Sequence, residues 1–290
     1  MANKRRRGDS PPPLFSTPPA IVEHIARYIG DCDDFFAFLS CFQDQQGGET
    51  LGDLGHFLAL AATLDPTDLW PKFRLRRLTS SLVPSIRCIT RFFTTIYVFE
   101  VFDIALLQQC LHPHNVVELL VCPPQDQVDK WLTTPVSKLP LQHITFNSQD
   151  VRTTDIFLEQ LESMPDLVSL HIENTTFRDL DSLFEFIQAS SKLVRLNLSV
   201  LFLMSPSDHL HSEERFVSAK FQRRHLDILI AWLKRSPVTA IILKKWDFEE
   251  EDETSAELLL EAVFGSSTIQ HLVLIDPTLS ITASRADFPM

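Results

Sequence analysis

The sequence predicts an α/β solenoid, in which short parallel strands line a concave face and helices line a convex face, preceded by a small all-α domain. Three observations predict this architecture. One hydrophobic pattern returns at a regular interval, apolar residues between its copies have helical spacing, and the N-terminal part of the chain lacks the pattern. A pattern that recurs in this way indicates a structural unit copied along the chain, because one unit cannot bury its apolar face alone.

The recurring pattern is a short strand. The segments LQHITF, LVSLHI and LVRLNL begin at Leu141, Leu167 and Leu193, at a constant interval of 26 residues. Positions 4 and 6 of each unit are apolar and alternate with polar neighbours, as in a strand with one buried face. An incomplete earlier unit begins at Val116. The apolar residues at positions 1, 4, 6 and 11 of the complete units are Leu141/Ile144/Phe146/Val151, Leu167/Leu170/Ile172/Phe177, Leu193/Leu196/Leu198/Leu203, Val238/Ile241/Leu243/Phe248 and Ile269/Leu272/Leu274/Leu279.

Helices are predicted between these strands. The apolar residues there recur about every 3.6 residues, which is the period of an amphipathic helix. Each unit is therefore expected to run strand, turn, helix and turn. The residues that carry this spacing are Ile156, Leu158 and Leu161, then Leu180, Leu183, Phe184 and Ile187, then Leu226, Leu229, Ile230 and Leu233, and then Leu258, Leu259, Ala262 and Val263.

The repeated unit resembles the leucine-rich-repeat family over about residues 93–280, and its length and helical second half are similar to the ribonuclease-inhibitor-like and F-box-associated subclasses. The chain departs from the family in two ways. The interval from Leu193 to Val238 is 45 residues, which predicts a surface-loop insertion near 204–222, with residues 205–216 mobile. The position after LxxLxLxx, usually Asn or Cys in the family, is here Gln149, Thr175, Leu201, Trp246 and Pro277.

The N-terminal part predicts a series of short helices. Ser16-Thr17-Pro18-Pro19 supplies an N-cap and helix-starting prolines, an apolar stripe runs from Ile21 to Ile29, and Gly30 can end that helix. The Phe-rich segment DDFFAFLSCF predicts a second helix. A third apolar segment follows at 54–60, and the motif LWPKF closes the region at 69–73.

This order of helices resembles an F-box over about residues 16–76. The usual Leu-Pro opening is Pro18-Pro19 here, and the spacer QDQQGGETLGDLG lengthens the motif. The resemblance implies docking on the adaptor subunit of an SCF-type cullin-RING ubiquitin ligase, with substrates presented on the repeats and no catalytic residue in the F-box protein itself. The alternative is a helical cap that only covers the first repeat. The positions that match the F-box docking residues are Pro19, Ile21, Val22, Ile25, Phe36 and Leu39.

Composition excludes several other classes of protein. The 290 residues are 44% hydrophobic and carry a formal net charge of -12, which opposes binding to nucleic acid. Neither a membrane-spanning run nor the apolar core of a signal peptide is found, so we expect no membrane association and a cytoplasmic location. The tract Lys4-Arg5-Arg6-Arg7 leaves nuclear import as an alternative to a plain disordered tail over residues 1–15.

Motifs for catalysis, nucleotides or metals are absent from the sequence. No glycine lies between residues 56 and 264, so the phosphate-binding loops that need glycine are missing from that stretch. The paired histidines His112/His114 and His209/His211 lack a cysteine and carboxylate set at zinc-ligand spacing, and the five cysteines lack CxxC spacing. We therefore expect a protein that is not an enzyme and that has no metal and no cofactor, with a hydrolase whose triad is dispersed in sequence as the remaining alternative.

A ligand surface follows from strand alternation alone. The side chains that flank positions 4 and 6 point away from the core, so positions 3, 5 and 7 should line the concave face. The predicted substrate-binding residues are His143, Thr145, Asn147, Ser169, His171, Glu173, Arg195, Asn197, Ser199, Lys244 and His271.

These observations predict an F-box-like domain at 16–78 and a leucine-rich-repeat domain at 79–290. The expected function is that of a substrate-recognition adaptor of a ubiquitin ligase, which binds the ligase adaptor subunit and an unidentified protein substrate. The alternative is a leucine-rich-repeat scaffold that never meets a ligase. The sequence does not identify the substrate, because one architecture of this kind binds unrelated ligands.

Overall fold

The structure is a computed structural model that describes residues 18–43, 50–133, 136–204, 216–245, 247–248, 253–275 and 280–284. Within these ranges the α-helices are α1 (Pro19–Ala26), α2 (Cys32–Ser40), α3 (Gly55–Ala61), α4 (Pro66–Leu69), α5 (Val83–Thr90), α6 (Ile104–Cys110), α7 (Gln125–Thr133), α8 (Val151–Leu161), α9 (Asp181–Ala189), α10 (Arg223–Arg235) and α11 (Glu253–Phe264). The strands are β1 (Arg74–Leu75), β2 (Thr95–Val98), β3 (Val116–Leu119), β4 (Leu141–Phe146), β5 (Ser169–Phe177), β6 (Arg195–Met204), β7 (Phe216–Ser218), β8 (Lys220–Phe221), β9 (Ala240–Lys244), β10 (Asp247–Phe248), β11 (His271–Ile275) and β12 (Ser280–Ser284).

One large sheet organises the chain, and its parallel strands follow chain order. The order is β1-β2-β3-β4-β5-β6-β9-β11, and β12 pairs antiparallel with β11 at the far edge. Helices lie between successive parallel strands, because parallel neighbours can be joined only by a crossover connection. The predicted α/β class is confirmed.

The register of the sheet aligns the predicted apolar positions. Ile144 of β4 lies opposite Leu170, which lies opposite Leu196. The same row continues through Ile241 and Leu272 toward the C-terminal edge. The residues at positions 1, 4 and 6 of the five complete units are all buried, as predicted. The core is therefore a set of apolar rows that run across the strands.

The helices after β4 pack beside one another and are tied to the sheet by side chains. Trp232 of α10 is buried, and its indole N–H donates to the carbonyl oxygen of Leu193 at 2.9 Å. The guanidinium of Arg235 donates to the carbonyls of Ile187 and Ser190 at 3.2 and 3.0 Å. These bonds satisfy carbonyl groups at the C-terminal end of α9, where the helix provides no partner of its own.

The helices α1 to α4, here called the N-terminal helices, are held together by aromatic rings. Phe35 stacks on Trp70 with ring centroids 4.2 Å apart, and Phe57 meets Phe35 edge-on at 5.1 Å. The side chain of Asp31 caps α2 by accepting from the backbone N–H groups of Asp33 and Asp34. Pro18, not Ser16, precedes α1 and provides no side-chain cap, so the predicted N-cap is wrong for this helix.

The N-terminal helices share a continuous core with the first strands. Phe93, which lies just before β2, has its ring 5.8 Å from that of Trp70 and 6.1 Å from that of Phe57. Arg91 bridges the same junction, with Nε 2.8 Å from Asp53 and Nη2 2.5 Å from Glu23. In addition, β1 falls inside the predicted 16–78 domain and yet pairs with β2 in the sheet.

The predicted surface loop at 204–222 needs correction. β6 extends to Met204, and β7 returns antiparallel to it, with Phe216 opposite Met204. Ala219 and Phe221 are buried, so the second half of the insertion packs on the fold. The sequence pattern missed this because a single hairpin strand has no repeat to identify it. Residues 205–215, the tail 1–15 and the pair His209/His211 lie outside the described residues.

No helix in the described part of the chain combines the length and the apolar character needed to cross a membrane.

Candidate functional site

Side chains on neighbouring strands form polar rows on one face of the sheet. Glu118, His143, Ser169 and Arg195 follow one another along one row, from β3 to β6. The next row contains Thr145, His171 and Asn197, and Glu173 lies opposite Ser199 in a third. Strands lie about 4.8 Å apart, so one extended ligand can touch several of them. The polar face is defined here as Glu118, His143, Thr145, His171, Glu173, Arg195 and Asn197.

His143 is the most enclosed member of the polar face. Its Nδ1 lies 2.7 Å from the Ser169 hydroxyl, and its Nε2 lies 3.1 Å from the Thr145 hydroxyl. Burial, together with the nearby Arg195 and His171, lowers the pKa of His143 to about 4. The imidazole is therefore neutral at neutral pH, and both of its nitrogens are already hydrogen-bonded within the chain.

Carboxylates lie beside a guanidinium and an imidazole on the rest of the polar face. Arg195 Nη2 lies 3.9 Å from Glu118 Oε1, and His171 Nε2 lies 3.4 Å from Glu173 Oε2. Burial lowers the pKa of His171, and the positive charge of Lys244 lowers it further. The negative charge of Glu173 acts in the opposite direction. The face therefore presents donors and acceptors of both signs, which suits a polar protein surface or peptide better than an apolar ligand.

The structure separates the predicted face residues by exposure. Asn147, Glu173 and His271 are exposed, while His143, Thr145, His171, Arg195, Asn197 and Lys244 are half-buried. Ser169 and Ser199 are buried and cannot contact a partner directly, which corrects their predicted role. The Ser199 hydroxyl donates to Asn197 Oδ1 at 2.6 Å, so these serines orient their neighbours instead.

The far end of the sheet differs from the polar face. Position 5 of β9 and β11 is Ile242 and Val273, and Ala240 lies between Arg195 and His271 in the position-3 row. His271 is therefore not part of the charged group formed on β3 to β6. The sequence pattern placed all these positions on one face. It did not predict that apolar residues on β9 and β11 separate His271 from the charged side chains, because it did not compare the residue types of neighbouring strands.

A pocket of about 530 Å³ opens at the carboxyl ends of β3 and β4, next to Glu173. Its apolar wall comes from the segment 120–124, and its polar wall includes Thr145 and Asn147. The Cys122 thiol donates to the carbonyl of Asn147 at 3.2 Å, and burial raises the pKa of Cys122 to about 11. This cysteine is therefore a protonated structural thiol, and the pocket extends the polar face toward a partly apolar end.

A second surface lies on α1, away from the polar face. Ile21 is 49% exposed, Ile25 is 45% exposed and Tyr28, just after the helix, is 78% exposed. Val22 and Ala26 on the opposite side of α1 are buried. The outward stripe of α1 is therefore apolar although it faces solvent.

Two of the six predicted adaptor-binding residues are unavailable at this surface. Val22 and Leu39 are fully buried in the chain's own core, so their side chains hold the N-terminal helices together and cannot contact a partner. Phe36 is half-buried against that core, and Pro19 is exposed. Helical periodicity alone did not distinguish the inner side of α1 from its outer side, because both are apolar.

Side chains that could hold a metal ion lie away from the polar face. Among the described residues, Asp53, His56 and Cys88 form a group whose ligand atoms lie close together. The rings of His112 and His114 are 4.3 Å apart, but both residues are exposed and neither belongs to that group. Neither set lies on the polar face.

No protein-family model matches this chain, and no curated protein matches it at a significant level. Function is therefore inferred from the sequence pattern and from the geometry of the two surfaces.

Proposed function

We propose that this protein is a non-catalytic substrate-recognition adaptor of an SCF-type ubiquitin ligase. In this proposal the F-box-like domain at 16–78 docks on the ligase adaptor subunit, and a leucine-rich-repeat solenoid at 79–290 presents a protein substrate on the polar face. The observation that carries the proposal is the pair of separate surfaces, one apolar on α1 and one polar on β3 to β6.

Packing of α1 supports the docking role. Large apolar side chains cost free energy when they face water, and a cluster of them on a short helix is typical of a protein interface. Ile21, Ile25 and Tyr28 account for three of the eight large hydrophobic residues that are exposed among the described residues. The adaptor-binding residues in the proposal are therefore Pro19, Ile21 and Ile25, with Phe36 beside them.

The order and register of the strands support the solenoid role. Successive parallel strands are neighbours in the sheet, so the same position of each unit falls in one row. Stacked repeats generate extended surfaces of this kind, on which a few side chains per strand determine the ligand. The proposed substrate-binding residues are those of the polar face, with Asn147 and the pocket at its edge.

An adaptor with these two surfaces needs no catalytic group of its own. Holding the substrate near the ligase raises the local concentration of the reacting partners, and that increase accelerates transfer. The charges of Glu118, Glu173 and Arg195, with the imidazole of His171 between them, would select the substrate, because wrong partners leave charges and hydrogen-bonding groups unpaired.

The second candidate is a leucine-rich-repeat scaffold whose N-terminal helices only cap the sheet. One observation favours it. Phe57 and Trp70 pack on Phe93, and Arg91 bridges Glu23 and Asp53, so the N-terminal helices cover the first strands. The scaffold candidate does not account for the exposed apolar stripe on α1, which a cap has no reason to carry.

Co-purification of the full chain with a purified ligase adaptor subunit tests the proposal. The double substitution Ile21→Asp with Ile25→Asp should abolish recovery of the adaptor, because it would place two charges in an apolar interface. The matched control is Ile156→Asp on α8, where an isoleucine of the same type is 42% exposed, far from α1. This control should recover the adaptor as the wild type does.

Recovery of no adaptor by the wild-type protein would support the scaffold candidate. Equal recovery by the wild type and by the Ile21/Ile25 double variant would show that α1 is not the docking surface.

A further inference from the structure

Three side chains from separate segments meet at the junction between the N-terminal helices and the sheet. Asp53 lies in the 3-10 turn Gly52–Leu54, His56 lies in the first turn of α3, and Cys88 lies on α5. One ligand atom from each residue lies within 4.8 Å of the other two. All three residues are half-buried, so the group is partly shielded from water and remains open to an ion.

We propose that Asp53, His56 and Cys88 form a zinc site that fastens the N-terminal helices to α5. Thiolate, imidazole and carboxylate are the ligands that Zn²⁺ uses in proteins, and a water molecule would complete a tetrahedron. Bonds of about 2.0 to 2.3 Å require ligand atoms roughly 3.5 Å apart, so the three side chains would have to move by about 1 Å. Side-chain rotations at half-buried positions allow that movement.

The surroundings of the site hold two of the ligands in place. His56 Nδ1 lies 3.1 Å from the hydroxyl of Ser85. When Nδ1–H donates to that hydroxyl, Nε2 carries the lone pair that a metal needs, which is the usual way an outer partner orients a histidine ligand. Asp53 forms an ion pair with Arg91, whose Nε lies 2.8 Å from Asp53 Oδ2. The second oxygen of a carboxylate can bind a metal while the first contacts a cation.

The positive charge of Arg91 does not by itself oppose a bound cation. Its guanidinium pairs with Asp53 and also with Glu23, at 2.5 Å, and Glu23 is shared with Arg27, whose Nη2 lies 2.8 Å from Oε1. Arg87 is exposed on α5, where water screens it. Once the Cys88 thiol is ionised, Asp53 and Cys88 carry two negative charges that match those of a divalent ion.

Zinc binding at this site must release one proton. Burial and the charge of Asp53 raise the pKa of the Cys88 thiol, while Arg91 and Arg87 oppose that effect. The S–H bond of Cys88 would break, an S–Zn bond would form, and the proton would pass to solvent. No oxidant or reductant takes part.

Co²⁺ provides a direct probe, because cobalt bound to thiolate absorbs light where hexaaqua cobalt does not. Titration of the full chain with Co²⁺ should produce a sulfur-to-cobalt charge-transfer band and the visible bands of a tetrahedral ion, and Zn²⁺ should bleach both. Cys88→Ser should remove the charge-transfer band. The matched control Cys41→Ser, at an exposed cysteine on a neighbouring part of the fold, should retain it. Retention of the band in Cys88→Ser, or its absence in the wild type, would overturn the proposal.

Alkylation of the unmodified protein provides a second measurement that needs no variant to fold. At a Zn²⁺ concentration about ten times the Kd, the rate of iodoacetamide labelling at Cys88 should fall about tenfold, because the free thiol fraction falls with occupancy. Labelling at Cys41, followed by mass spectrometry in the same sample, should not change. Equal rates at Cys88 with and without Zn²⁺ would contradict a zinc site there.

Discussion

The N-terminal helices and the sheet reach stability in different ways. The helices α1 and α2 have eight and nine residues, lengths at which an isolated helix is marginal in water. They depend on a small aromatic cluster of Phe35, Phe57 and Trp70. In the sheet, by contrast, each of the strands β2, β3, β4, β5, β6 and β9 has two parallel neighbours, and the same buried apolar position recurs in β4, β5, β6, β9 and β11. Stability is concentrated in a few side chains in the first region and distributed in the second.

The exposed surfaces of the two regions also differ in chemical character. The N-terminal helices expose an apolar stripe that suits a single fixed partner. The sheet exposes alternating charges whose identity changes from strand to strand, so this surface can specify a partner without disturbing the buried rows. Under the proposed function, docking and substrate selection therefore lie on separate surfaces, one on a helix and one on strands.

The largest expected effect comes from breaking the aromatic cluster. Phe57 is fully buried and contacts Phe35 and Trp70 on one side and Phe92 and Phe93 on the other. Phe57→Ala should lower the free energy of unfolding by about 3 to 5 kcal/mol, through lost burial and the cavity left behind. Urea denaturation followed by fluorescence and by circular dichroism measures this loss. A loss below about 1 kcal/mol would show that the cluster does not hold the two regions together.

A smaller effect, which depends on pH, is expected from the polar face. The pKa of His143 is lowered from 6.5 to about 4, so the unfolded chain binds more protons than the folded chain between these values. The free energy of unfolding should therefore fall as pH decreases from about 6.5 to about 4, by about 2 kcal/mol from this group. His143→Gln should flatten that dependence in urea titrations at a series of pH values.

His271→Gln is the matched control for this measurement. His271 occupies the corresponding strand position on β11 but is exposed. Because the side chain is exposed, its replacement should change the free energy of unfolding by less than about 0.5 kcal/mol. A flattening of the same size in both variants would show that burial of His143 does not cause the effect.

Backbone conformation provides a reciprocal test within the sheet. Asn174 of β5 and Val200 of β6 each follow one residue after the paired positions Glu173 and Ser199. Their φ angles are 47° for Asn174 and 56° for Val200. Asparagine tolerates this left-handed region, whereas β-branched valine is strained in it. Thermal unfolding should show Val200→Asn to be stabilising and Asn174→Val to be destabilising, each by about 1 kcal/mol. The same sign for both substitutions would contradict a backbone origin.

The smallest effect on stability is expected from substitutions on the polar face, although these should have the largest effect on substrate binding. Replacing His171 and Arg195 together by alanine removes two half-buried side chains whose contacts with Glu173 and Glu118 lie near the surface. Such pairs contribute about 0 to 1 kcal/mol, so the melting temperature should hardly change. Once a substrate is identified, its capture by this double variant should weaken at least tenfold at equal protein concentration. Unaltered capture would move the substrate site off the polar face.

Periodic elements of the fold could be predicted from the sequence. The strands β4, β5, β6, β9 and β11 and the helices between them follow from apolar spacing, because the same residue types recur at the same positions. The helices α1 and α2 also follow from prolines before α1, acidic residues at the start of α2 and apolar spacing, and α3 coincides with the third apolar segment. These signals depend on residues close together in the sequence, so they can be recognised without knowledge of the structure.

Other elements depend on contacts between distant residues, which a single sequence does not reveal. β1 has two residues and acquires its identity only by pairing with β2. The strands β7 and β8 lie in an insertion that has no second copy for comparison. The group of Asp53, His56 and Cys88 was not recognised in the sequence, because Cys88 lies far along the chain from the other two residues. Burial of Ser169 was missed because its cover comes from His143 on the neighbouring strand.

The affinity of the purified chain for the ligase adaptor subunit tests the central claim most directly. Isothermal titration calorimetry should give 1:1 binding with the same Kd for the wild type and for the His171→Ala, Arg195→Ala double variant, because docking and selection lie on separate surfaces. The Ile21→Asp, Ile25→Asp double variant should give no measurable heat. Absence of binding by the wild type, or a Kd that rises with the polar-face substitutions, would contradict the account.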